Sequence, residues 1–160
     1  MRNTDGQPPD QAGVRFPPPF VFLGFALLGP VIGRWAGDWH FGGGAPAWAL
    51  GAALLIGGLG AIAAANGSFR RAGTRPEPWK PSALVVDAGI YQITRNPMYL
   101  GMAAAQLGIA VLLDSGWSAL LTLASLWVVR TQVIAREEAY LAAKFGDAYR
   151  DYCARVPRWL

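Results

Sequence analysis

Charge and thiol chemistry are scarce in this sequence. Asp, Glu, Lys and Arg together make up 15% of 160 residues, with one cysteine, Cys153, and one histidine, His40. A lone cysteine cannot close an internal disulfide, and a single Cys with a single His is too small a ligand set for structural zinc, so no metal site is expected. With 53% hydrophobic residues and a mean hydropathy of +0.27, an ordinary soluble domain is excluded as well. The net charge of +4 does not indicate a nucleic-acid partner, because the Lys and Arg residues do not gather on one soluble, aromatic-bearing face. At this length one compact unit is expected rather than a catalytic domain with a separate anchor.

What the chain has instead is long uncharged runs. Residues 1–15 are polar, contain Pro8 and Pro9, and read as a disordered lead-in. From Phe16 to Gly33 no charge interrupts the apolar run, which is long enough to cross a hydrocarbon core. The Gly-rich connection Arg34 to Ala45, with Asp38, His40 and Gly42-Gly43-Gly44, reads as a flexible turn. Pro46 to Ala65 is a second charge-free run, in which Gly57, Gly58 and Gly60 lack the strand and cation of a nucleotide loop and read as small residues for close helix packing, like Gly29 and Gly33. Pro97 to Leu113 and Trp117 to Ala135 make a third and fourth span, hinged at Asp114–Gly116. The fold class expected is all-α: a polytopic membrane protein of about four transmembrane helices (near 16–33, 46–65, 97–113 and 117–135) and a C-terminal amphipathic helix, with residues 16–160 as a single domain. Five basic residues fall in loop 66–96 and five in tail 136–160, against Arg34 in the first connection and none in the 114–116 turn. By the positive-inside rule that loop and both termini are cytoplasmic, which in a bacterial cell means the inner membrane.

Two segments can carry chemistry. Around Gly89-Ile90-Tyr91-Gln92-Ile93-Thr94-Arg95-Asn96-Pro97-Met98-Tyr99-Leu100-Gly101, Asn96 suits an N-cap and Pro97 the first helical position. That alone does not account for Arg95 beside two tyrosines at a helix start, where free N–H groups and a guanidinium can hold a carboxylate. In the tail, Leu141, Phe145, Tyr149, Tyr152 and Val156 recur at helical spacing, so the segment reads as an amphipathic helix broken at Gly146, with Asp147 capping its second half, lying on the bilayer or folded back on the loop. A Glu137-Glu138 pair is by itself a common solvated face. Arg130, two turns earlier near a span end, raises its interest, although an Arg there can also simply snorkel.

Taken together, Ala72-Gly73-Thr74, Leu84-Val85 through Gly89 and Tyr91, Arg95-Asn96-Pro97-Met98-Tyr99-Leu100-Gly101, Glu137-Glu138, Leu141, Phe145-Gly146, Tyr149, Tyr152 and Val156-Pro157-Arg158-Trp159 resemble the isoprenylcysteine carboxyl methyltransferases and their bacterial relatives, which are similar to the phosphatidylethanolamine N-methyltransferases. The resemblance spans Phe69 to Trp159. It implies an S-adenosylmethionine-dependent methyltransferase in the membrane, acting on a lipophilic small molecule or lipid: an isoprenylcysteine-like carboxylate or a lipid head group. Its cofactor site would comprise Gly89, Tyr91, Arg95, Asn96, Pro97, Tyr99, Gly101, Glu137 and Glu138, with Arg95 and Glu137 as catalytic candidates and Gln106 and Arg130 toward the substrate. Arg95 would pair the cofactor carboxylate, Glu137 or Glu138 its ammonium or ribose hydroxyls, and Tyr91 or Tyr99 would face the sulfonium. Many relatives carry His where this chain has Asn96; hydrogen bonding survives that exchange, whereas proton transfer does not carry over. For Gln106 an interhelical hydrogen bond is the commoner fate. The competing readings are an NADPH-dependent membrane reductase, since sterol reductases have a similar C-terminal segment, and a non-catalytic membrane scaffold.

Overall fold

The computed structural model describes residues 11–14, 16–74 and 82–160. Most of the expected lead-in, and Arg75, Lys80 and prolines 76, 78 and 81 of the loop, lie outside the described residues. The described chain is helical: α1 (Pro18–Ala36), α2 (Gly44–Arg71), a 3₁₀ turn (Gly89–Gln92), α3 (Pro97–Leu112), α4 (Gly116–Val129), a π-turn (Arg130–Ile134), α5 (Ala135–Phe145) and α6 (Asp147–Arg155). The described residues group into two compact units: Pro17–Ile62 with Met98–Val129, and those within 1–16, 63–97 and 130–160.

The first of these is the membrane unit. Pro17 and Pro18 start α1, where a missing N–H costs nothing, and Gly37 at φ +78° ends it. Three helices are long and apolar enough to cross a bilayer: Pro18–Ala36, Gly44–Arg71 and the continuous Gly116–Phe145. The expected third span, 97–113, is the helix Pro97–Leu112, apolar but only 16 residues long. Phe20, Leu27, Trp48, Ile56, Leu59, Leu123 and Trp127 are exposed, as a surface facing lipid requires.

Inside the unit the contacts are made by small and polar residues. Gly58 on α2 and Gly101 on α3 approach so closely that a β-carbon at Gly101 would lie 2.7 Å from the Gly58 carbonyl and 2.9 Å from Ile62. Gly29 does the same against Ser118 on α4, whose hydroxyl donates to the Ala26 carbonyl at 2.7 Å. Gly57 and Gly60 have open space beside them, so of that triplet only Gly58 packs closely, a correction to the expectation drawn from composition.

The Gly-rich connection is not the flexible turn expected from its composition. Asp38 accepts from the Ser115 hydroxyl at 2.6 Å and the Trp117 N–H at 3.1 Å, while Ser115 Oγ accepts from the Ser118 N–H, so the α4 N-terminus is capped both locally and from the α1–α2 connection. Asp114 returns the contact through its bonds to the Phe41 N–H and His40, and Trp39 stacks on Trp117.

In the other unit, α2 runs six residues beyond the expected end at Ala65. The polar end of the helix is satisfied locally: Ser68 Oγ donates to the Ala64 carbonyl and accepts from Arg71. The tail is two helices broken at Gly146 (φ +54°), as its sequence indicates. Asp147 differs from expectation: it is the first residue of α6 and pairs with Arg150 rather than capping. Tyr149, Tyr152 and Val156 are buried together with Leu141, Phe145, Cys153 and Val85, so the amphipathic face folds back on the loop.

Candidate functional site

Within the loop-and-tail unit, the turn carrying Arg95 is held from three sides. Gly89 opens it at φ +64°, where a β-carbon would meet Ser68 Oγ at 2.8 Å, so both conformation and space call for glycine. The Tyr91 ring packs edge-on against Phe69, and its carbonyl accepts from the Tyr152 hydroxyl at 2.8 Å. The third side is the chain end. The Arg95 N–H donates to the Pro157 carbonyl at 3.0 Å, and the Arg158 carbonyl accepts from both Thr94 Oγ1 (3.1 Å) and Asn96 Nδ2 (3.0 Å). Thr94, Asn96 and Pro97 are buried, so these bonds are made away from water, where an unmade one is costly.

The charged groups converge on Glu138, in the first turn of α5. The Arg158 guanidinium forks onto both of its oxygens, Nε to Oε1 at 2.9 Å and Nη2 to Oε2 at 2.7 Å. Arg95 reaches the same Oε1 through Nη1 at 3.2 Å, and that nitrogen also lies 2.8 Å from Cys153 Sγ. Arg95 Nε is buried and has no hydrogen-bond partner among the described residues. The Arg95 side chain is 15% exposed, Glu138 20% and Arg158 39%, so the cluster is mostly sheltered from screening.

The surrounding phenols report the same environment. Burial pushes Tyr91 far above the ordinary tyrosine value, and the charges of Glu137 and Tyr152 add to it. Burial also raises Tyr149 and Tyr152; a bond to the Cys153 thiol raises Tyr149 further, and one with Arg95 opposes it. Arg158 is held above its ordinary value chiefly by its bond to Glu138.

Of the residues singled out from sequence, Gly89, Tyr91, Arg95, Asn96, Pro97, Glu137 and Glu138 belong to this unit. Arg130 also does, at the start of the π-turn with an exposed side chain. Tyr99 and Gly101 lie in the membrane unit, both buried, Gly101 in the α2–α3 contact. Gln106 is there too, 1% exposed, accepting from Ser125 Oγ at 2.7 Å and donating to the Ser118 carbonyl at 3.4 Å. Its amide is thus engaged by α4, the commoner fate for such a residue. Sequence reasoning assigned no part to Thr94, Cys153 or Arg158. For Arg158 a signal existed, in the Val156-Pro157-Arg158-Trp159 string.

A family model described as phospholipid methyltransferase matches residues 46–148, well over half of the chain. The chain belongs to the phospholipid methyltransferase family. The match takes in the loop, α3, α4 and the acidic pair of α5. A protein named protein-S-isoprenylcysteine O-methyltransferase from Schizosaccharomyces pombe is 43% identical over 74 residues, 46% of this chain and 31% of that protein. Protein-S-isoprenylcysteine O-methyltransferase B from Arabidopsis thaliana is 37% identical over 73 residues, 46% of this chain and 37% of that protein. The chain thus spans about a third of the length of these two family members. An uncharacterized protein from Haemophilus influenzae is 40% identical over 63 residues, 39% of this chain and all of that protein. No solved structure matches the chain.

Proposed function

We propose that this family member transfers a methyl group from S-adenosylmethionine to a lipophilic acceptor, with the cofactor held by the loop-and-tail unit. The observation that carries this reading is the Arg95 guanidinium: it is sheltered, shares one nitrogen with Glu138, and keeps a buried Nε–H with no partner among the described residues. An unmade bond to a charged donor is expensive, and a carboxylate is the group that fits it. The aminocarboxylate end of the cofactor carries a carboxylate for Arg95 and an ammonium, for which Glu137 offers the opposite charge. The residues present therefore fit both charges of that group, without the glycine-rich strand-to-helix turn that soluble nucleotide-binding domains use.

When bound, S-adenosylmethionine would supply a methyl on a positively charged sulfur, whose S–CH₃ bond would break as an acceptor lone pair formed the new bond to carbon, with the sulfur leaving as a neutral thioether. Positive charge disappears at the donor, so no strong base is required for a carboxylate acceptor, and alignment is the main thing the protein supplies. Tyr91, whose phenol burial keeps neutral, offers a ring for the sulfonium. Asn96, with its amide donating to the Arg158 carbonyl, keeps the Arg95 turn in place and handles no proton.

For the acceptor, the names of the two isoprenylcysteine relatives support a carboxylate on a prenylated cysteine or a similar greasy molecule. Such a molecule partitions into the bilayer, while a charged cofactor arrives from water; the basic loop and tail favour the cytoplasmic side of a bacterial inner membrane. The test is incubation of the purified protein with methyl-labelled S-adenosylmethionine and membrane lipid extract. Label in the organic phase that becomes volatile on mild base treatment is expected for a carboxyl methyl ester. Base-stable label would identify an amine or lipid head-group acceptor, and label confined to water-soluble molecules would overturn the lipophilic acceptor.

A further inference from the structure

Glu138 already has more cation than it can use. Arg158 occupies both of its oxygens with a planar fork at 2.9 and 2.7 Å, and Arg95 touches one of them at 3.2 Å with a single nitrogen. A carboxylate saturated in this way is a poor partner for a ligand ammonium, since every new bond displaces a charge-assisted one. The same Arg158 fixes the Arg95 turn through its carbonyl, which takes hydrogen bonds from Thr94 and Asn96, the residues on either side of Arg95. One residue near the chain end therefore governs both where Arg95 sits and what competes for it.

We infer that Arg158 is a positioning residue: its guanidinium neutralises Glu138 so that Arg95 stays available to a ligand carboxylate, and neither Arg158 nor Glu138 touches the cofactor. This rests on the proposed S-adenosylmethionine site and sets Glu138 apart from the groups that touch the ligand. Two guanidiniums share one carboxylate here, Arg158 through a two-bond fork and Arg95 through a single nitrogen, and the buried Arg95 Nε–H has no partner among the described residues. Without the Arg158 guanidinium, the single-nitrogen contact of Arg95 with Glu138 would be free to become a full fork, and an intramolecular carboxylate at this distance outcompetes one arriving from solution.

The test uses two probes on the full chain in detergent: S-adenosylhomocysteine, and 5′-methylthioadenosine, which keeps the nucleoside thioether and lacks the aminocarboxylate. Arg158→Met retains the backbone carbonyl that holds Thr94 and Asn96. It is expected to weaken S-adenosylhomocysteine about tenfold, the equivalent of one charge-assisted hydrogen bond, and to leave methylthioadenosine within about twofold. Adding Glu138→Gln to Arg158→Met removes the competitor and should return S-adenosylhomocysteine to within about threefold of the native chain. Retained methylthioadenosine binding shows that each variant is folded. Binding by the double variant weaker than by Arg158→Met would mean that Glu138 touches the ligand, and equal loss of both probes would mean a merely structural Arg158; either overturns the inference while the native chain still binds. A native chain that binds neither probe overturns the proposed function itself.

Discussion

Replacing Glu138 by Ala leaves Arg95 and Arg158 facing each other with nothing between them. Both guanidiniums lie within hydrogen-bonding distance of the same oxygen, at 3.2 and 2.9 Å, so their charges would stand about 5 Å apart. At the effective dielectric of about 20 that suits such sites, two like charges at that distance repel by about 3 kcal/mol. Removing one member of a buried pair costs about 3–5 kcal/mol, and Arg158 at 39% exposure can swing toward water and shed part of that. A net loss of about 2–3 kcal/mol follows, which for a chain of this size corresponds to about 4–12 °C in Tm. The assay is thermal unfolding of native and Glu138→Ala protein in the same detergent, at low salt and at about 1 M salt, where the screening length falls to about 3 Å. The variant should unfold earlier and recover part of the difference at high salt. A Tm within about 1 °C of native at low salt would refute the picture of one carboxylate holding two cations.

Other residues give independent checks. Tyr152→Phe removes the donor to the Tyr91 carbonyl, and a loss of about 1–2 kcal/mol should appear as earlier unfolding, whereas an unchanged transition would mean that the bond carries no weight. Gly101→Val should destabilise the α2–α3 contact by about 1–3 kcal/mol, because a β-carbon there meets the Gly58 carbonyl and Ile62; normal stability of that variant would show the helices to be less closely packed than described. Asp38 is held below the ordinary carboxylate value of 3.8: desolvation raises it, but the Ser115 hydroxyl and the N–H groups of Trp117, Trp39 and Gly116 together outweigh that. A depressed folded value means that its stabilisation is present above the unfolded value and is lost as pH falls through the folded one. Native protein should therefore lose thermal stability as the pH drops below 3.8, and Asp38→Asn should flatten that dependence; an equally steep loss in the variant would place the acid sensitivity elsewhere.

The parts of this fold legible in the sequence are those written in composition over ten or more residues. Charge-free runs mark α1, most of α2 and α4, Pro97 marks the start of α3, and Gly146 marks the break in the tail. The three-and-four spacing of Leu141, Phe145, Tyr149, Tyr152 and Val156 likewise becomes one buried cluster. What escaped depends on partners distant in the chain. Nothing local to Asp38 shows that it caps α4, and nothing in Asn66–Arg71 shows that α2 continues while Ser68 finds the Ala64 carbonyl. The π-turn at Arg130–Ile134 leaves no compositional mark, because it has neither the proline nor the glycine that would announce a break in a helix. In the site, Arg95, Asn96 and Glu138 were legible as a pattern, but the residue that connects them is Arg158, more than sixty positions after Asn96. Its carbonyl and its guanidinium act in different places, and only the folded chain brings those places to the same residue.

The most direct measurement is a calorimetric titration of the detergent-solubilised chain with S-adenosylmethionine and, separately, with NADPH. Saturable binding of S-adenosylmethionine at one site is expected, weakened about tenfold or more by Arg95→Ala, with no saturable uptake of NADPH. Saturable NADPH binding without S-adenosylmethionine binding, or S-adenosylmethionine affinity untouched by Arg95→Ala, would contradict the assignment of that guanidinium to the cofactor carboxylate.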